Sequence, residues 1–484
     1  MKILIVIPAT PGVKNVVRDF IYGCWCKGKR IGGMQMPPLN LLYAATVLTE
    51  DGNEVDLVDG ISDPDRFKKA LDDAQSYEAM IVLVSTSTFH SDTDVLAQFK
   101  DRNPKMKSII FGPHPTFMPC YSLAKPSVDI IVQHEPEFIL RDVIRQLRAS
   151  LDGYHDIRGI GFRTDGQIIL NEPYPYLENL DNLPFPNRKL LPPHVDYFNP
   201  VVKRMPYTTA ITSRGCPGRC IFCTVPNFYG KKYRSRSAEN VLQELEIIVS
   251  QGYREVMFRD ETFTAFPERN RVICREMIRR GIDLLWICNA RVGSVTRDVM
   301  ALMKDAGCHL IKFGVESGVQ HILDNLKKGI RAEKTIEVFR WAKDLRIDTH
   351  AHIMLGNPGE TKETLKTTIE FVKRIEPKTV SFGLLTPYPG TDLFEDIVKT
   401  HPEIKDGSSC DLKKLHTTAF FNEFFTSLDR RDLESSVRLA YRKFYLRPQP
   451  LLRFLKSIDS LDELWRLLVA GANIFSFTLS GDEL

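Results

Sequence analysis

Three cysteines stand close together near the middle of the chain, in a segment that could hold a metal cluster. Cys216, Cys220 and Cys223 lie within the stretch TSRGCPGRCIFC (212–223), and no fourth Cys or His lies nearby. Three thiolates on one short loop can converge on one face of a cubane cluster, whereas a structural zinc site normally needs four ligands. A missing fourth ligand would leave one iron free to bind a small molecule. The spacing therefore predicts a 4Fe-4S site, with a zinc site completed from elsewhere or coincidental structural cysteines as the alternatives.

The composition excludes several classes of protein. The 484 residues are 43% hydrophobic and 26% charged, which suits a folded chain of two or three domains. Ten cysteines are too sparse for a disulfide scaffold, so reduced thiols and a cytoplasmic location are expected. A net charge of +4 gives no indication of nucleic acid binding. The apolar run MKILIVIP (1–8) predicts a first buried strand, and no stretch reaches the roughly 18 uninterrupted apolar residues of a spanning helix.

Residues 1–151 alternate short β-branched runs with helical periods. This alternation predicts an α/β domain with a doubly wound parallel sheet, which is a Rossmann-like fold. The expected strands are 3–7, 54–58, 80–84, 108–111 and 129–132, and the expected helices are 39–49, 65–74, 91–99 and 136–149. Ligands of such sheets bind at the carboxyl ends of the strands. The turns at 85–88, 112–116 and 134–137 would therefore form one ligand-binding rim.

A second strand-helix alternation follows a connecting segment. Residues 152–200 combine a predicted hairpin around Asp165-Gly166 with seven prolines, which marks an extended linker. Over 201–404 the expected strands are 208–212, 255–259, 283–288, 309–313, 349–354 and 379–385. Six such units predict a partial (β/α)6 TIM-like barrel, with the three cysteines on the loop that follows its first strand. Residues 405–484 read as a helical C-terminal domain.

The cysteine segment resembles the signature of a known superfamily. Cys216, Cys220 and Cys223, with the aromatic Phe222 before the third cysteine, resemble the radical S-adenosylmethionine (SAM) motif. The preceding doubly wound domain resembles the cobalamin-binding domain of the branch that includes class B methylases and the anaerobic magnesium-protoporphyrin IX monomethyl ester cyclase. The resemblance implies that the three cysteines hold a 4Fe-4S cluster whose unique iron chelates SAM. One electron would then cleave SAM to methionine and a 5'-deoxyadenosyl radical.

Polar and glycine residues at the other strand ends are the expected SAM cradle. A carboxylate from the segment after the second strand would pair with the methionyl ammonium, as the resemblance implies, and Glu261 is favoured over Asp260. Residues after the later strands would contact the ribose hydroxyls and the carboxylate of SAM. The expected SAM-binding residues are Asp260, Glu261, Asn289, Arg291, Glu316, Ser317, Gly356 and Pro358. Taken one at a time, each polar residue could equally be a loop cap or part of a surface ion pair.

The rim of the first domain is the expected cobalamin site. The candidate residues are Ser85, Thr86, Ser87, Gly112, His114, Thr116 and Glu135. No histidine stands in the Asp-x-His-x-x-Gly motif that supplies the lower axial ligand in one cobalamin fold, and a domain that binds nothing remains the alternative. No GxGxxG fingerprint follows the first strand, which disfavours a nicotinamide cofactor.

Together these features predict a cobalamin-dependent radical SAM enzyme that methylates an unactivated carbon through methylcobalamin. The alternatives are an oxidative cyclase or other radical C–H transformation of a tetrapyrrole, lipid or secondary metabolite, and a non-catalytic corrinoid or redox sensor. The expected partners are a small-molecule or lipid-like substrate and a low-potential electron donor such as flavodoxin or ferredoxin. Basic and apolar residues at 438–458 could contact a membrane surface or pack on the barrel. Cys24 and Cys26 could line a route between the domains or be ordinary reduced cysteines.

Overall fold

Two sheets of mainly parallel strands organise the chain, which confirms the predicted fold class. The computed structural model describes residues 1–9, 32–149, 153–410, 422–448, 458 and 460–480. The hypotheses about Cys24, Cys26 and much of the basic segment at 438–458 fall outside these ranges. Within the described ranges, no helix combines the length and the hydropathy that a membrane crossing requires.

The first sheet has seven strands in the order β2-β1-β3-β4-β5-β6-β7. Its strands are β1 (Lys2–Ile7), β2 (Glu54–Asp59), β3 (Ala79–Leu83), β4 (Lys107–Phe111), β5 (Ile130–Val132), β6 (Ile160–Thr164) and β7 (Gln167–Leu170). The first five pair in parallel, as predicted. The hairpin forms where the sequence predicted it, but β6 pairs antiparallel with β5 and β7 with β6. The sheet therefore includes two strands from the segment that the sequence pattern assigned to the linker.

Helices cover both faces of the first sheet, and the central strands are accordingly apolar throughout. The helices are α1 (Leu39–Glu50), α2 (Pro64–Asp72), α3 (Phe89–Arg102), α4 (Pro113–Phe117), α5 (Pro119–Leu123) and α6 (Glu137–Arg148). Ile3 and Ile5 of β1 pack with α1 and α6, whereas Leu4 and Val6 pack with α2 and α3. Successive side chains of a strand point to opposite faces, so burial of both faces requires an unbroken apolar run.

The second sheet contains six parallel strands in the order β15-β14-β13-β12-β11-β8, as the partial barrel predicts. These strands are β8 (Tyr207–Ala210), β11 (Glu255–Phe258), β12 (Leu285–Ala290), β13 (Cys308–Glu316), β14 (Asp348–Leu355) and β15 (Thr379–Leu384). Two short strands, β9 (Ser213–Arg214) and β10 (Arg234–Ser235), form a separate antiparallel pair beside the cysteine loop. The helices are α7 (Val225–Tyr229), α8 (Ala238–Ser250), α9 (Pro267–Arg280), α10 (Arg297–Asp305), α11 (Gln320–Asn325), α12 (Ala332–Asp344), α13 (Lys362–Ile375) and α14 (Asp392–Thr400).

Helix α15 (Arg430–Tyr445) covers the free edge of β15. The hydroxyl of Tyr445 accepts a hydrogen bond from Val380 N at 2.9 Å and donates to Val380 O at 2.8 Å. The hydroxyl of Tyr441 accepts from Phe382 N at 3.3 Å. Unpaired backbone groups of an edge strand invite pairing with another chain, so these two hydroxyls complete the edge. The last described helix, α16 (Leu461–Ser480), packs on α15.

Candidate active site

The cysteine loop begins immediately after the first two strands of the barrel domain. Gly215 takes a positive φ of 88°, which turns the chain from β9 into Cys216. Gly218 N donates to Cys216 Sγ at 3.4 Å, and Cys223 N donates to Cys220 O at 3.2 Å. The guanidinium of Arg291 packs directly against Gly218, so a larger residue there would displace it. The three thiols thus lie together at the carboxyl end of the barrel, where the sequence predicted them.

Asp260 anchors this loop from the end of β11. Its carboxylate accepts from Thr212 N at 2.6 Å, from Ser213 Oγ at 2.9 Å and from the hydroxyl of Thr212. Burial raises the pKa of Asp260 above its usual value, although Arg269 and the hydrogen bonds from Thr212 and Ser213 oppose that shift. Its oxygens are therefore engaged with the cysteine loop. The contact of Asp260 or Glu261 with the methionyl ammonium stays a prediction.

Burial opposes ionisation of two motif cysteines, Cys220 and Cys223, in the protein without metal. It raises the pKa of the Cys223 thiol to about 12, and it also raises the pKa of Cys220. Lys328 and Arg291 oppose the shift at Cys220, and Arg291 Nη1 lies 4.0 Å from Cys220 Sγ. Cysteines bind iron as thiolates, so cluster binding must supply the free energy that is needed to deprotonate these buried thiols.

Glu316 and Lys328 form a buried pair next to the cysteine loop. Glu316 ends β13 with a positive φ of 64°, and its Oε1 accepts from Lys328 Nζ at 2.7 Å. Burial lowers the pKa of Lys328, but the Glu316 carboxylate outweighs it and holds the pKa above its usual value. The Lys328 ammonium lies 5.9 Å from the centre of the Phe222 ring. The aromatic residue of the cysteine motif thus faces a fixed positive charge.

The loop after β14 is held by a carboxylate that the sequence interpretation did not single out. Glu360 is fully buried and accepts from Gly356 N at 2.5 Å and from Asn357 N at 2.9 Å. Burial raises the pKa of Glu360 to about 7. Asn325 Nδ2 donates to Pro358 O at 2.9 Å on the other side of the loop. The pattern Gly-x-x-Gly-Glu after a strand was the available signal for Glu360.

Two further predicted SAM residues make structural hydrogen bonds near this face. Asn289 Nδ2 donates to Asp260 O at 2.8 Å, which ties β12 to the end of β11. Ser317 Oγ lies 3.0 Å from Thr368 Oγ1, so it joins the end of β13 to α13. Both residues thus lie near the same end of the barrel as the cysteines. Their contacts with SAM stay predictions.

The rim of the first sheet brings six of the seven predicted cobalamin residues together. The turn after β3 is closed by Ser85 Oγ and Thr88 Oγ1, which are 2.8 Å apart. His114 Nδ1 lies 3.4 Å from Thr86 Oγ1, and burial lowers the pKa of His114 to about 3. Gly112 has a φ of 118°, and Thr116 Oγ1 donates to its carbonyl oxygen at 2.8 Å.

Two polar atoms of this rim are buried without a hydrogen-bond partner among the described residues. They are Ser87 Oγ and His114 Nε2. Buried polar atoms are normally paired, so unpaired ones at a strand-end rim fit a ligand that offers donors and acceptors. The neutral imidazole of His114 can either donate or accept through this nitrogen.

A buried ion network joins the two domains next to the cysteine loop. Glu135, the seventh predicted cobalamin residue, accepts from Arg214 at 3.1 Å and from both terminal nitrogens of Arg234 at 2.9 Å. Glu137 accepts from Arg214 Nη2 at 2.5 Å. Burial raises the pKa of Glu135, but Arg214 and Arg234 outweigh it and hold the pKa below its usual value. His134 Nδ1 also lies 2.8 Å from Phe228 O. The predicted contact of Glu135 with cobalamin stays a prediction.

Comparison with known proteins gives a matching family model for each of the two domains. The model of the radical SAM superfamily matches residues 210–372, and the model of the B12 binding domain matches residues 32–144. An uncharacterized methyltransferase of Pyrococcus horikoshii is 30% identical over 459 residues, which cover 94% of each chain. The chain belongs to the cobalamin-binding branch of the radical SAM superfamily.

Other relatives include this branch's cyclases and solved structures. The anaerobic magnesium-protoporphyrin IX monomethyl ester cyclase of Rubrivivax gelatinosus is 27% identical, over 72% of this chain and 62% of the cyclase. The cobalamin-dependent radical enzyme OxsB, with aqua-cobalamin and SAM bound, has a TM-score of 0.67 at 17% identity, covering 98% of this chain and 71% of that chain. At 17% identity, the similarity to OxsB shows a shared fold.

The cofactors of this radical SAM enzyme are a 4Fe-4S cluster, SAM and cobalamin. Within the described ranges, no three His, Cys, Asp or Glu side chains are arranged to hold a single metal ion. A cubane does not need that arrangement, because each cysteine binds a different iron. Asn357 Oδ1 is buried without a hydrogen-bond partner among the described residues, at the strand end where SAM is expected. The residues present therefore fit the three groups.

Proposed function

We propose that this enzyme transfers a methyl group from SAM, by way of cobalamin, to an unactivated carbon of a small-molecule or lipid-like substrate. The observation that carries the proposal is the Arg214 network, which fixes the cysteine loop against the domain that binds cobalamin. A methyl group can pass from a corrin to a substrate carbon only if both cofactors reach the same substrate. The name of the methyltransferase relative, which matches over 94% of this chain, supports the same reaction.

The cofactors supply the methyl carrier and the hydrogen-abstracting radical. Each turnover would consume two SAM molecules and two electrons from a low-potential donor such as flavodoxin or ferredoxin. It would release S-adenosylhomocysteine from the first SAM, and methionine and 5'-deoxyadenosine from the second. The substrate exchanges one hydrogen, which leaves in 5'-deoxyadenosine, for one methyl group. The two adenosyl products should therefore form in equal amounts.

The residues of the chain position these groups and exclude water. Asp260 holds the segment that follows β8 and leads into the cysteine loop, Glu360 holds the loop that follows β14, and both carboxylates are fully buried. Lys328 and Arg291 place positive charge beside Cys220, which would favour the negative charge of a cluster held by the motif thiolates. Exclusion of water protects a reactive radical from side reactions with solvent, and fixed dipoles stabilise the charges that develop during the reaction.

An anaerobic assay with SAM bearing a trideuterated methyl group tests the proposal. Formation of S-adenosylhomocysteine in proportion to bound cobalamin is expected without substrate. With a small-molecule extract, a product that gains one trideuteromethyl group is expected, in equal amount with 5'-deoxyadenosine. The variant with Cys216, Cys220 and Cys223 replaced by Ala is the control for cluster-dependent steps. Consumption of SAM with deoxyadenosine formed but no methylated product would refute methyl transfer.

An oxidative cyclisation is the second candidate, because the cyclase relatives match over most of this chain. It uses the same cofactors, but the product would gain no methyl group. A substrate deuterated at the reacting carbon would pass deuterium to 5'-deoxyadenosine in both reactions. The mass of the product therefore separates the two candidates.

Peripheral contact with a membrane through the basic segment at 438–458 stays a proposal, and the exposed apolar side chains of the helix that follows it support the same proposal. Trp465, Leu468 and Phe475 of α16 are between 52% and 62% exposed. Sedimentation with vesicles of phosphatidylcholine and phosphatidylglycerol tests this contact. Binding that is lost when Trp465 and Leu468 are both replaced by Ser would support it, and absence of binding by the unaltered enzyme would contradict it.

A further inference from the structure

Two basic side chains flank Cys220, the middle cysteine of the motif. Arg291 follows β12, and its Nη1 lies 4.0 Å from Cys220 Sγ. Lys328 follows α11, and its ammonium lies 5.9 Å from the centre of the ring of Phe222 in the same loop. We call Arg291 and Lys328 the cation pair. Sequence analysis did not single out Lys328, so its position beside the cysteine loop calls for an explanation.

The backbone fixes Lys328 against the cysteine loop. Ile221 N donates to Leu326 O at 3.2 Å, which ties the end of α11 to this loop. The chain then turns at Lys327, which has a positive φ of 50°, and Lys328 N donates to Leu323 O at 2.9 Å. As a result Lys328 is buried, whereas its neighbour Lys327 is exposed. The position of Lys328 is thus set by the same backbone that positions the cysteines.

A carboxylate keeps Lys328 charged in this buried position. Glu316 Oε1 accepts from Lys328 Nζ at 2.7 Å, and both atoms pack against Gly314. Burial lowers the pKa of Lys328, but Glu316 outweighs this effect and holds the pKa above its usual value. Lys328 and Glu316 together are neutral. Their effect on the cysteine loop therefore depends on which of the two charges acts on it more strongly.

The positive charge acts more strongly on Cys220 than the negative one. Burial raises the pKa of the Cys220 thiol. Among the charged neighbours, Lys328 opposes this rise most and Arg291 follows, whereas Glu316 adds to the rise by a smaller amount. Buried charges are screened by salt much less than exposed ones. The cation pair therefore gives the surroundings of Cys220 a net positive charge.

We propose that the cation pair raises the reduction potential of the cluster that the motif cysteines hold. A 4Fe-4S cluster bound by three thiolates is already anionic. Its reduction takes one electron from the low-potential donor and adds one negative charge, while no bond forms or breaks. Nearby positive charge stabilises the reduced form more than the oxidised form, and net charge is one of the factors that set the potential of such clusters.

The cation pair offsets a cost that burial imposes. A buried site disfavours added negative charge because solvation by water is lost. Lys328 and Arg291 replace part of that solvation with fixed charge, which brings the cluster within reach of its electron donor. This role is the same for methyl transfer and for cyclisation, because both reactions begin with reduction of the cluster. In this role Lys328 and Arg291 act through the cluster, so they are positioning residues.

An anaerobic redox titration of the full chain with its cluster, followed by electron paramagnetic resonance, tests the proposal. SAM and substrate are left out, so that methyl transfer does not enter the measurement. In Lys328→Met the ratio of reduced to oxidised cluster at a fixed potential should fall at least tenfold, which corresponds to about 59 mV for one electron. Glu316→Gln should shift the midpoint potential in the opposite direction. Lys328→Arg should keep most of the ratio of the unaltered chain.

The matched control is Lys378→Met. Lys378 is 13% exposed and binds Asp348 at 2.7 Å at the amino end of β14, which is the opposite end of the barrel from the cysteine loop. Its replacement removes an ammonium from a comparable pair, but the midpoint potential should not change. Iron and sulfide analysis verifies that each variant holds the cluster, and thermal unfolding verifies that it is folded.

Other variants keep the test decisive if Lys328→Met retains no cluster. Lys328→Met combined with Glu316→Gln leaves no buried charge alone, and it should still lower the midpoint potential, by less than the single change. Arg291→Gln should also lower it, and this variant decides if neither Lys328 variant holds a cluster. An unchanged midpoint potential in these variants, or shifts of the same sign for Lys328→Met and Glu316→Gln, would overturn the inference. Because no substrate is present, this failure is distinguishable from failure of the methyl-transfer proposal.

Discussion

Replacement of Arg214 by Met should destabilise the protein far more than loss of an ordinary ion pair. Arg214 is 1% exposed and Glu137 is 2% exposed, and the two are bonded directly. Glu135 keeps Arg234 in the variant, but Glu137 loses its guanidinium partner inside the protein. Removal of one partner from a buried pair costs about 3–5 kcal/mol, because it leaves an uncompensated charge. A loss of about 3 kcal/mol in the free energy of unfolding is expected, at the lower end of that range.

A double-mutant cycle separates this pairwise effect from lost packing. Glu137→Leu alone leaves Arg214 with Glu135, and Arg214→Met together with Glu137→Leu leaves neither charge unpaired. The double variant should therefore be more stable than the sum of the single losses predicts, by roughly 2 kcal/mol. Urea unfolding of the protein without cofactors, followed by circular dichroism, measures all four chains under the same conditions.

Arg204→Met is the matched control, because Arg204 pairs with Asp283 at 2.7 Å on the surface, where Asp283 is 82% exposed. An exposed pair contributes no more than about 1 kcal/mol. If Arg214→Met cost as little as Arg204→Met, or if the losses in the cycle were additive, the network could not be the link between the two domains that we infer.

Three further perturbations follow from the geometry. Glu360→Gln should flatten the pH dependence of the free energy of unfolding. Because the pKa of Glu360 is raised to about 7 in the native protein, this group stabilises the fold fully below its usual pKa of 4.5, and the stabilisation of up to about 3 kcal/mol is lost as the pH rises through 7. Equal pH profiles for the variant and the unaltered chain would contradict the assignment. Tyr445→Phe should cost about 1–3 kcal/mol in urea unfolding, because Val380 N and O lose their partner; no loss would mean that water replaces the hydroxyl. Replacement of all three motif cysteines by Ala should abolish bound iron and sulfide while preserving cobalamin binding, and full iron content in that variant would refute the cluster site.

Most strands of both sheets could be predicted from local sequence. Five apolar runs in the first domain and six in the barrel appear within two or three residues of their expected ends, because buried parallel strands need continuous apolar side chains. The pairing of β6 with β5 could not be read in this way. Residues 158–170 form a hairpin through their own turn, where Asp165 has a φ of 49°. Attachment of that hairpin to the sheet depends on residues about 30 positions earlier, which local periodicity does not report.

The position of the candidate site was predictable, but the partners of its charged residues were not. The rule that parallel strands end at one edge placed Cys216, Asp260 and Glu316 together. The pairing of Arg214 with Glu137 crosses 77 residues of sequence, and it exists only because two domains meet. Glu360 was missed because a carboxylate that bonds two amides of its own loop has no spacing that distinguishes it from an exposed helix-end residue.

Buried carboxylates with protein partners recur at the loops around the two rims. Asp260 holds the cysteine loop, Glu360 holds the loop after β14, and Glu135 and Glu137 hold the turn of the cobalamin domain against Arg214. Each carboxylate accepts backbone, hydroxyl or guanidinium donors that would otherwise be mobile or solvated. Loops that are ordered before binding suit a site that must bring three cofactors to one carbon, because the entropy cost of ordering the loops then does not weaken cofactor binding. The acidic residues at these strand ends therefore act first as positioning residues.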